Sequence, residues 1–151
     1  MIKIITVGQI KEKYLKDAIE EYTKRLQKYT NIEIIEVKDE GLVEPQKAMK
    51  LEEEKILKHI QDKDYIITLE IEGKSLTSEE FANKLDNIMI ENSNITFIIG
   101  GSYGLSQGIK EKSKFALSFS KMTFPHQLFR VILLEQIYRA FKINNNESYH
   151  K

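Results

Sequence analysis

The spacing of apolar residues changes along the chain, and the local period predicts the elements. Four short β-branched runs, Ile2 to Val7, Ile32 to Val37, Tyr65 to Ile71 and Ile95 to Ile99, read as largely buried strands. Helical stripes fall between them. Tyr14, Leu15, Ala18, Ile19, Tyr22, Leu26 and Tyr29 recur at helix spacing, and Met49, Ile56, Leu57 and Ile60 make a weaker stripe. Thr77 with Glu80 forms a capping box that opens a third helix through Phe81, Leu85, Ile88 and Met89. Parallel strands need a long crossover, so strands alternating with helices predict an α/β fold, a mainly parallel sheet with helices on both faces. Lys38 to Gln46 is the one extended polar loop. Gly73-Lys74-Ser75 imitates the end of a phosphate-binding Walker A loop, but Thr68 stands where that loop needs a glycine, so the segment reads as a connection between strand and helix.

A last helix, Gln127 to Lys142, is apolar over an unusually wide arc. At about 100° per residue, Glu135, Gln136, Arg139 and Lys142 share one side while apolar residues cover roughly 200° of the rest. One sheet needs about half of that arc, so the surplus predicts a homodimer with this helix in the interface. Arg130 sits inside the apolar arc and must meet a carboxylate, a helix end or an anion, because an unpaired buried guanidinium is costly. Glu135 and Arg139, four apart, are placed to pair along the helix.

With 151 residues the chain is the size of a single domain. It has no cysteine, which excludes a disulfide framework, thiolate metal sites and a cysteine nucleophile. The apolar N-terminal run is broken by Lys3 and is too short for a signal sequence, so a cytoplasmic protein with no membrane association is the expectation. Net charge is zero but uneven: residues 1–108 hold 15 basic and 20 acidic side chains, residues 109–151 hold 8 and 3. The basic third is either a phosphate-facing surface or a solvated turn carrying Lys110, Lys112 and Lys114.

Four of the seven glycines, Gly100, Gly101, Gly104 and Gly108, fall within nine residues directly after the fourth strand. Open α/β sheets bind ligands at the carboxyl ends of their strands, and glycine permits close backbone approach, so this is the candidate ligand loop. Its spacing matches no dinucleotide fingerprint. No two of the three histidines have metal-ligand spacing. His59 reads as a surface residue, His126 as a cap on the last helix, and His150 lies in a polar tail that is disordered by default.

Ile99-Gly100-Gly101-Ser102-Tyr103-Gly104-Leu105, then Leu117 to His126, then Arg130 with Glu135-Gln136-Ile137-Tyr138-Arg139-Ala140, and the closing Tyr149-His150-Lys151 resemble the RlmH family along the whole chain. That family comprises SPOUT-class methyltransferases specific for a pseudouridine in 23S ribosomal RNA, position 1915. The segment Phe-Ser-Lys-Met-Thr-Phe stands where other members have leucines, and Ser148 precedes the terminal tyrosine.

The resemblance implies one domain over residues 1–151, a C-terminal trefoil knot, a homodimer, and S-adenosylmethionine as methyl donor without a metal. It places Leu69, Gly100, Gly101, Gly104, Phe119, Ser120, Lys121, Met122, Thr123 and Phe124 around the donor. It also places Tyr149, His150 and Arg139 at the reaction, with His150 as proton acceptor, Tyr149 stacking on the base, and Arg139 stabilising charge or holding phosphate. So small a protein, without an appended RNA-binding domain, is expected to recognise the assembled ribosome. Two rival classes are a non-catalytic RNA- or ribosome-binding module of the same fold and a flavodoxin-like nucleotide binder. The latter requires a hydroxyl-rich loop after the first strand, where Gly8-Gln9-Ile10-Lys11 stands.

Overall fold

A computed structural model describes residues 1–151. Five strands, β1 (Ile2–Val7), β2 (Ile32–Val37), β3 (Tyr65–Ser75), β4 (Ile95–Ile99) and β5 (Phe115–Ser118), form one sheet in the order β2-β1-β4-β3-β5. Every pairing is parallel. Five helices connect them: α1 (Lys13–Leu26), α2 (Pro45–Leu57), α3 (Ser78–Glu91), α4 (Gln107–Lys112) and α5 (His126–Asn144). No helix is long and apolar enough to cross a membrane.

The period-two alternation of the strands divides the core between two faces. Ile2, Ile4, Phe97, Ile99 and Ile67 point toward α1, α3 and α5, where Leu26, Leu85, Leu133, Leu134 and Ile137 complete the larger cluster. Ile5, Val7, Ile66 and Ile98 point the other way and pack with Ile56 of α2 and Ile109 of α4. The capping box opens α3 as its spacing predicts, with both reciprocal bonds between Thr77 and Glu80 present.

Three expectations change. Gly73-Lys74-Ser75 belongs to β3 rather than to a loop: after an irregularity between Leu69 and Lys74, Lys74 and Ser75 pair with Leu117 and Ser118. Gly73 makes this possible, since a Cβ there would lie 2.7 Å from the Ala116 backbone. The polar loop ends at Glu44, whose side chain accepts from the Gln46 amide, and Pro45 occupies the first turn of α2, where its missing N–H costs nothing. The segment carrying Lys110, Lys112 and Lys114 is not simply a turn but contains α4 and leads into β5.

α5 lies across α1 and α3, which explains part of its wide apolar arc within one chain. Leu133, Leu134, Ile137 and Tyr138 are buried beneath it, while Val131 and Ile132 are half-buried and Leu128 is exposed on the outer side. Arg130, only 1% exposed, meets a carboxylate: its Nη1 donates to Glu36 Oε2 at 2.5 Å and its Nη2 to the Gly8 carbonyl at 3.3 Å. The same Glu36 oxygen accepts the Ile10 amide, so this pair ties the turn after β1 to the start of α5.

Candidate active site

The carboxyl ends of β3 and β4, with β5 and the segment after it, surround a cavity of about 550 Å³. Leu69, Gly100, Gly101, Gly104, Phe119, Ser120, Met122, Thr123 and Phe124 all line it. Lys121 is exposed and does not. The acidic pair Glu70 and Glu72 and Phe129 of α5, which the sequence does not single out, also line the cavity, as do Lys110 and His126. His126 is not the cap expected of it but the first residue of α5, with Pro125 at the capping position. Glu70 accepts the Thr68 hydroxyl at 2.6 Å and lies 3.7 Å from Lys110 Nζ. Apolar walls with a few carboxylates suit a ligand that has both an apolar body and positive charge.

The glycine loop is shaped by backbone. Gly104, in the left-handed region at φ +81°, donates its amide to the Gly101 carbonyl at 3.0 Å. The turn is so tight that a Cβ on Gly100 would lie 2.8 Å from the Gly104 carbonyl carbon. Behind the loop, α2 contributes two carboxylates. Glu53 accepts the Ser106 hydroxyl at 2.7 Å and Lys50 at 2.9 Å, and these bonds hold its carboxyl below the usual range. Glu52 accepts the Glu40 amide at 3.0 Å, and burial pushes its carboxyl up. The run Glu52-Glu53-Glu54 looks like a solvated face. Its legible signal is position: Glu52 and Glu53 precede Ile56 by four and three residues, which puts them on the buried stripe.

Arg139, Tyr149 and His150 come together, and the tail that carries the last two is packed rather than loose. Arg139 donates through Nε to Glu135 Oε1 at 2.9 Å, as their spacing predicts, and its Nη1 lies 3.0 Å from His150 Nδ1. His150 Nε2 faces Glu79 Oε1 of α3 at 2.6 Å. The carboxylate can only accept, so Nε2 carries the proton and Nδ1 accepts from Arg139. Tyr149 donates to Glu135 Oε2 at 2.5 Å, and that bond, with burial, pushes its phenol up to about 12. The Arg139 guanidinium stands 4.8 Å over the Tyr149 ring, whose edge meets Tyr138 at 5.0 Å. Glu79 is held below the usual carboxylate range by its own backbone amide and by His150. Nothing in the sequence pattern connects Glu79 with His150.

These two groups are separate places on one chain. None of Arg139, Tyr149 and His150 lines the 550 Å³ cavity. Between them lies a smaller hollow walled by Thr77, Ser78, Phe119, Phe124, Ile132 and Gln136.

A parallel α/β sheet with its cavity at the strand ends and a packed C-terminal tail defines a ligand-binding α/β domain, and comparison with known proteins gives its family. The family described as "Predicted SPOUT methyltransferase" matches residues 1–150, and the chain belongs to it. Ribosomal RNA large subunit methyltransferase H of Clostridium botulinum (strain Hall) is 55% identical and that of Clostridium acetobutylicum 52%, each aligned over 99% of both chains. A protein of Methanococcus maripaludis is 59% identical over the same share. Among solved structures, a "probable methylase family protein" of Haemophilus influenzae superposes with a TM-score of 0.56 at 14% identity, covering 99% of this chain and 70% of that one. Ribosomal RNA small subunit methyltransferase E of Neisseria gonorrhoeae, bound to S-adenosyl methionine, gives 0.51 at 14% identity, covering 90% and 64%. At that identity the likeness is one of fold.

Proposed function

We propose that the protein transfers a methyl group from S-adenosylmethionine to N3 of a pseudouridine in 23S ribosomal RNA, position 1915, on the assembled ribosome. The observation that carries this reading is the convergence of nine residues from three separated stretches, Leu69, Gly100 to Gly104 and Phe119 to Phe124, on one cavity at the strand ends. The near full-length relatives named as large subunit methyltransferases supply the substrate class. The cavity's size is that of a small-molecule site, and the tight backbone of the glycine loop forms part of its wall.

S-adenosylmethionine, when bound, supplies an electrophilic methyl group on a sulfonium. The chain's part is to hold the acceptor in line and to take the N3 proton. His150 is the acceptor of that proton, at Nδ1, once Arg139 turns from the ring toward the uracil carbonyls. Glu79 keeps the opposite nitrogen protonated and offsets the imidazolium charge that forms. Arg139 then faces the oxygens on which negative charge develops. Tyr149, with its phenol raised to about 12, stays neutral at physiological pH and offers a stacking ring rather than a base.

The tail and the cavity are apart within one chain, so the working site draws on two copies, the tail of one subunit reaching the cavity of the other. The outer side of α5 supports this. Its first half is apolar, with Leu128 41% exposed beside Val131 and Ile132, and Met122 at the cavity is 77% exposed. Its second half carries Glu135, Arg139 and Lys142. The family's trefoil knot is carried over for the chain after β4, and the basic residues beyond 109 provide contacts to phosphate in the cytoplasm, where ribosomes are assembled.

The test is transfer of labelled methyl from S-adenosylmethionine to whole ribosomes, separated subunits and naked ribosomal RNA, each from cells lacking this protein, with the modified nucleotide mapped by mass spectrometry. Label on N3 of that pseudouridine, chiefly in assembled ribosomes, is the expected result. Equal label on naked RNA refutes the dependence on assembly, and label on none of them refutes the activity.

A further inference from the structure

The order of the tail needs a physical cause, because a polar stretch from Asn144 to Lys151 has little apolar surface to bury. Its last apolar anchor in α5 is Ile143. Past it the chain reverses through Asn146, in the left-handed region at φ +55°, whose amide donates to the Ile143 carbonyl at 3.1 Å. The Glu147 amide then donates to the Lys142 carbonyl at 2.9 Å. Backbone bonds of this kind end a helix but do not by themselves set the direction of the chain beyond it.

The Glu147 side chain does. Its Oε1 accepts the Tyr29 hydroxyl at 2.6 Å, and its Oε2 lies 3.2 Å from Lys142 Nζ and 3.3 Å from Lys28 Nζ. It therefore joins the chain beyond α5 to the turn after α1, with Tyr29 118 residues away in sequence. Tyr29 is itself fixed, stacked on Phe141 at 5.4 Å and edge-on to Tyr138 at 6.4 Å. This corner lies just past the C-terminal ends of α1 and α5, which disfavour an anion, and the two lysines offset that. These partners hold its carboxyl at about 2, charged at any physiological pH.

We propose that Glu147 is a positioning residue for the terminal Tyr149-His150 pair, fixing the tail against Tyr29, Lys28 and Lys142 so that His150 meets Arg139 and Glu79. This rests on the proposed role of His150 as proton acceptor. Glu147 touches neither ring nitrogen nor the cavity. It acts through its short chain connection to Tyr149 and His150, and through Tyr138, which meets both Tyr29 and Tyr149.

The experiment compares wild type, E147A and E147Q, in the full chain, by single-turnover methyl transfer to ribosomes, by S-adenosylmethionine binding, and by hydrogen exchange at the amides of residues 147–150. E147A should lower the transfer rate about 10- to 100-fold, the scale of a misplaced catalytic group, while donor affinity stays within about twofold and the tail amides exchange faster. E147Q keeps an acceptor for Tyr29 and loses the ion pairs, so it should fall between. A loosened tail with an unchanged rate overturns the positioning role, and so does a tail that stays protected. A fall in donor affinity equal to the fall in rate points to general damage and also overturns it. Absence of transfer by the wild type contradicts the proposed activity instead, and the exchange measurement then still decides whether Glu147 holds the tail.

Discussion

The cavity and the tail cluster solve the problem of placing functional groups in opposite ways. The cavity is made by backbone at strand ends, where the sheet itself sets the geometry and the side chains mainly fill walls. The tail cluster has no sheet beneath it; two carboxylates, a guanidinium and a stacked tyrosine hold it. The first arrangement is intolerant of added volume, since its loop backbone leaves no space for a Cβ at Gly100. The second is sensitive to charge, because a network of charge-assisted side-chain bonds can be rearranged by a single protonation or substitution.

The largest effect should come from the tail. His150→Ala removes the proton acceptor and should lower single-turnover methyl transfer by about 10²- to 10⁴-fold, with donor affinity by calorimetry unchanged within about twofold. If donor affinity falls in parallel, the two regions are not separable. Next comes the cavity. Gly100→Ala puts a Cβ against the Gly104 carbonyl carbon; if the loop shifts to relieve this overpacking and the strain falls on the donor-bound state, donor binding should weaken roughly 5- to 150-fold, the equivalent of about 1–3 kcal/mol. The tail amides should keep their exchange rates in that variant.

A third change reaches the framework under both regions. Glu36→Ala leaves the buried Arg130 guanidinium with the Gly8 carbonyl as its one remaining partner, and Arg130 is already pulled below its usual pKa by burial. Because Glu36 is partly exposed, the loss should be about 2 kcal/mol, below the usual range for breaking a buried pair, read as a lower urea midpoint with an unchanged slope.

The smallest effect separates the regions by pH. Glu147 titrates near 2 in the folded chain against 4.5 for the ordinary group, so its charge favours the packed tail above about 4.5, and this contribution disappears as pH falls toward 2. Glu52, behind the glycine loop, is shifted upward by burial, so its protonation favours the folded state as pH falls. Tail amides should therefore lose protection on acidification before those of α2 do, by hydrogen exchange at matched intrinsic rates.

Much of this is legible in the sequence, and the remainder is hidden for physical reasons. β1, β2 and β4 are rich in β-branched residues and their limits match the prediction. β5 has four residues and α4 six, too short for a period to develop, so neither is predicted. The β-branched pattern of β3 stops at Ile71, because Gly73-Lys74-Ser75 looks like a turn until the Ala116 backbone is placed beside it. The glycine loop announces itself by density of one residue type after a strand. Glu79, Glu135 and Glu147 cannot announce a shared purpose, since their partners Tyr29, Tyr149 and His150 are brought to them by the fold.

The most direct test of an active site assembled from these two regions is a mixing experiment. Chains carrying Gly100→Ala are unfolded and refolded together with chains carrying His150→Ala, and methyl transfer to ribosomes is measured against each variant alone. If the cavity of one subunit works with the tail of its partner, half the dimers hold one intact pair of regions, and the mixture should recover roughly a quarter of wild-type activity. Activity no higher than the two variants alone, in a mixture shown to contain mixed dimers, contradicts the account.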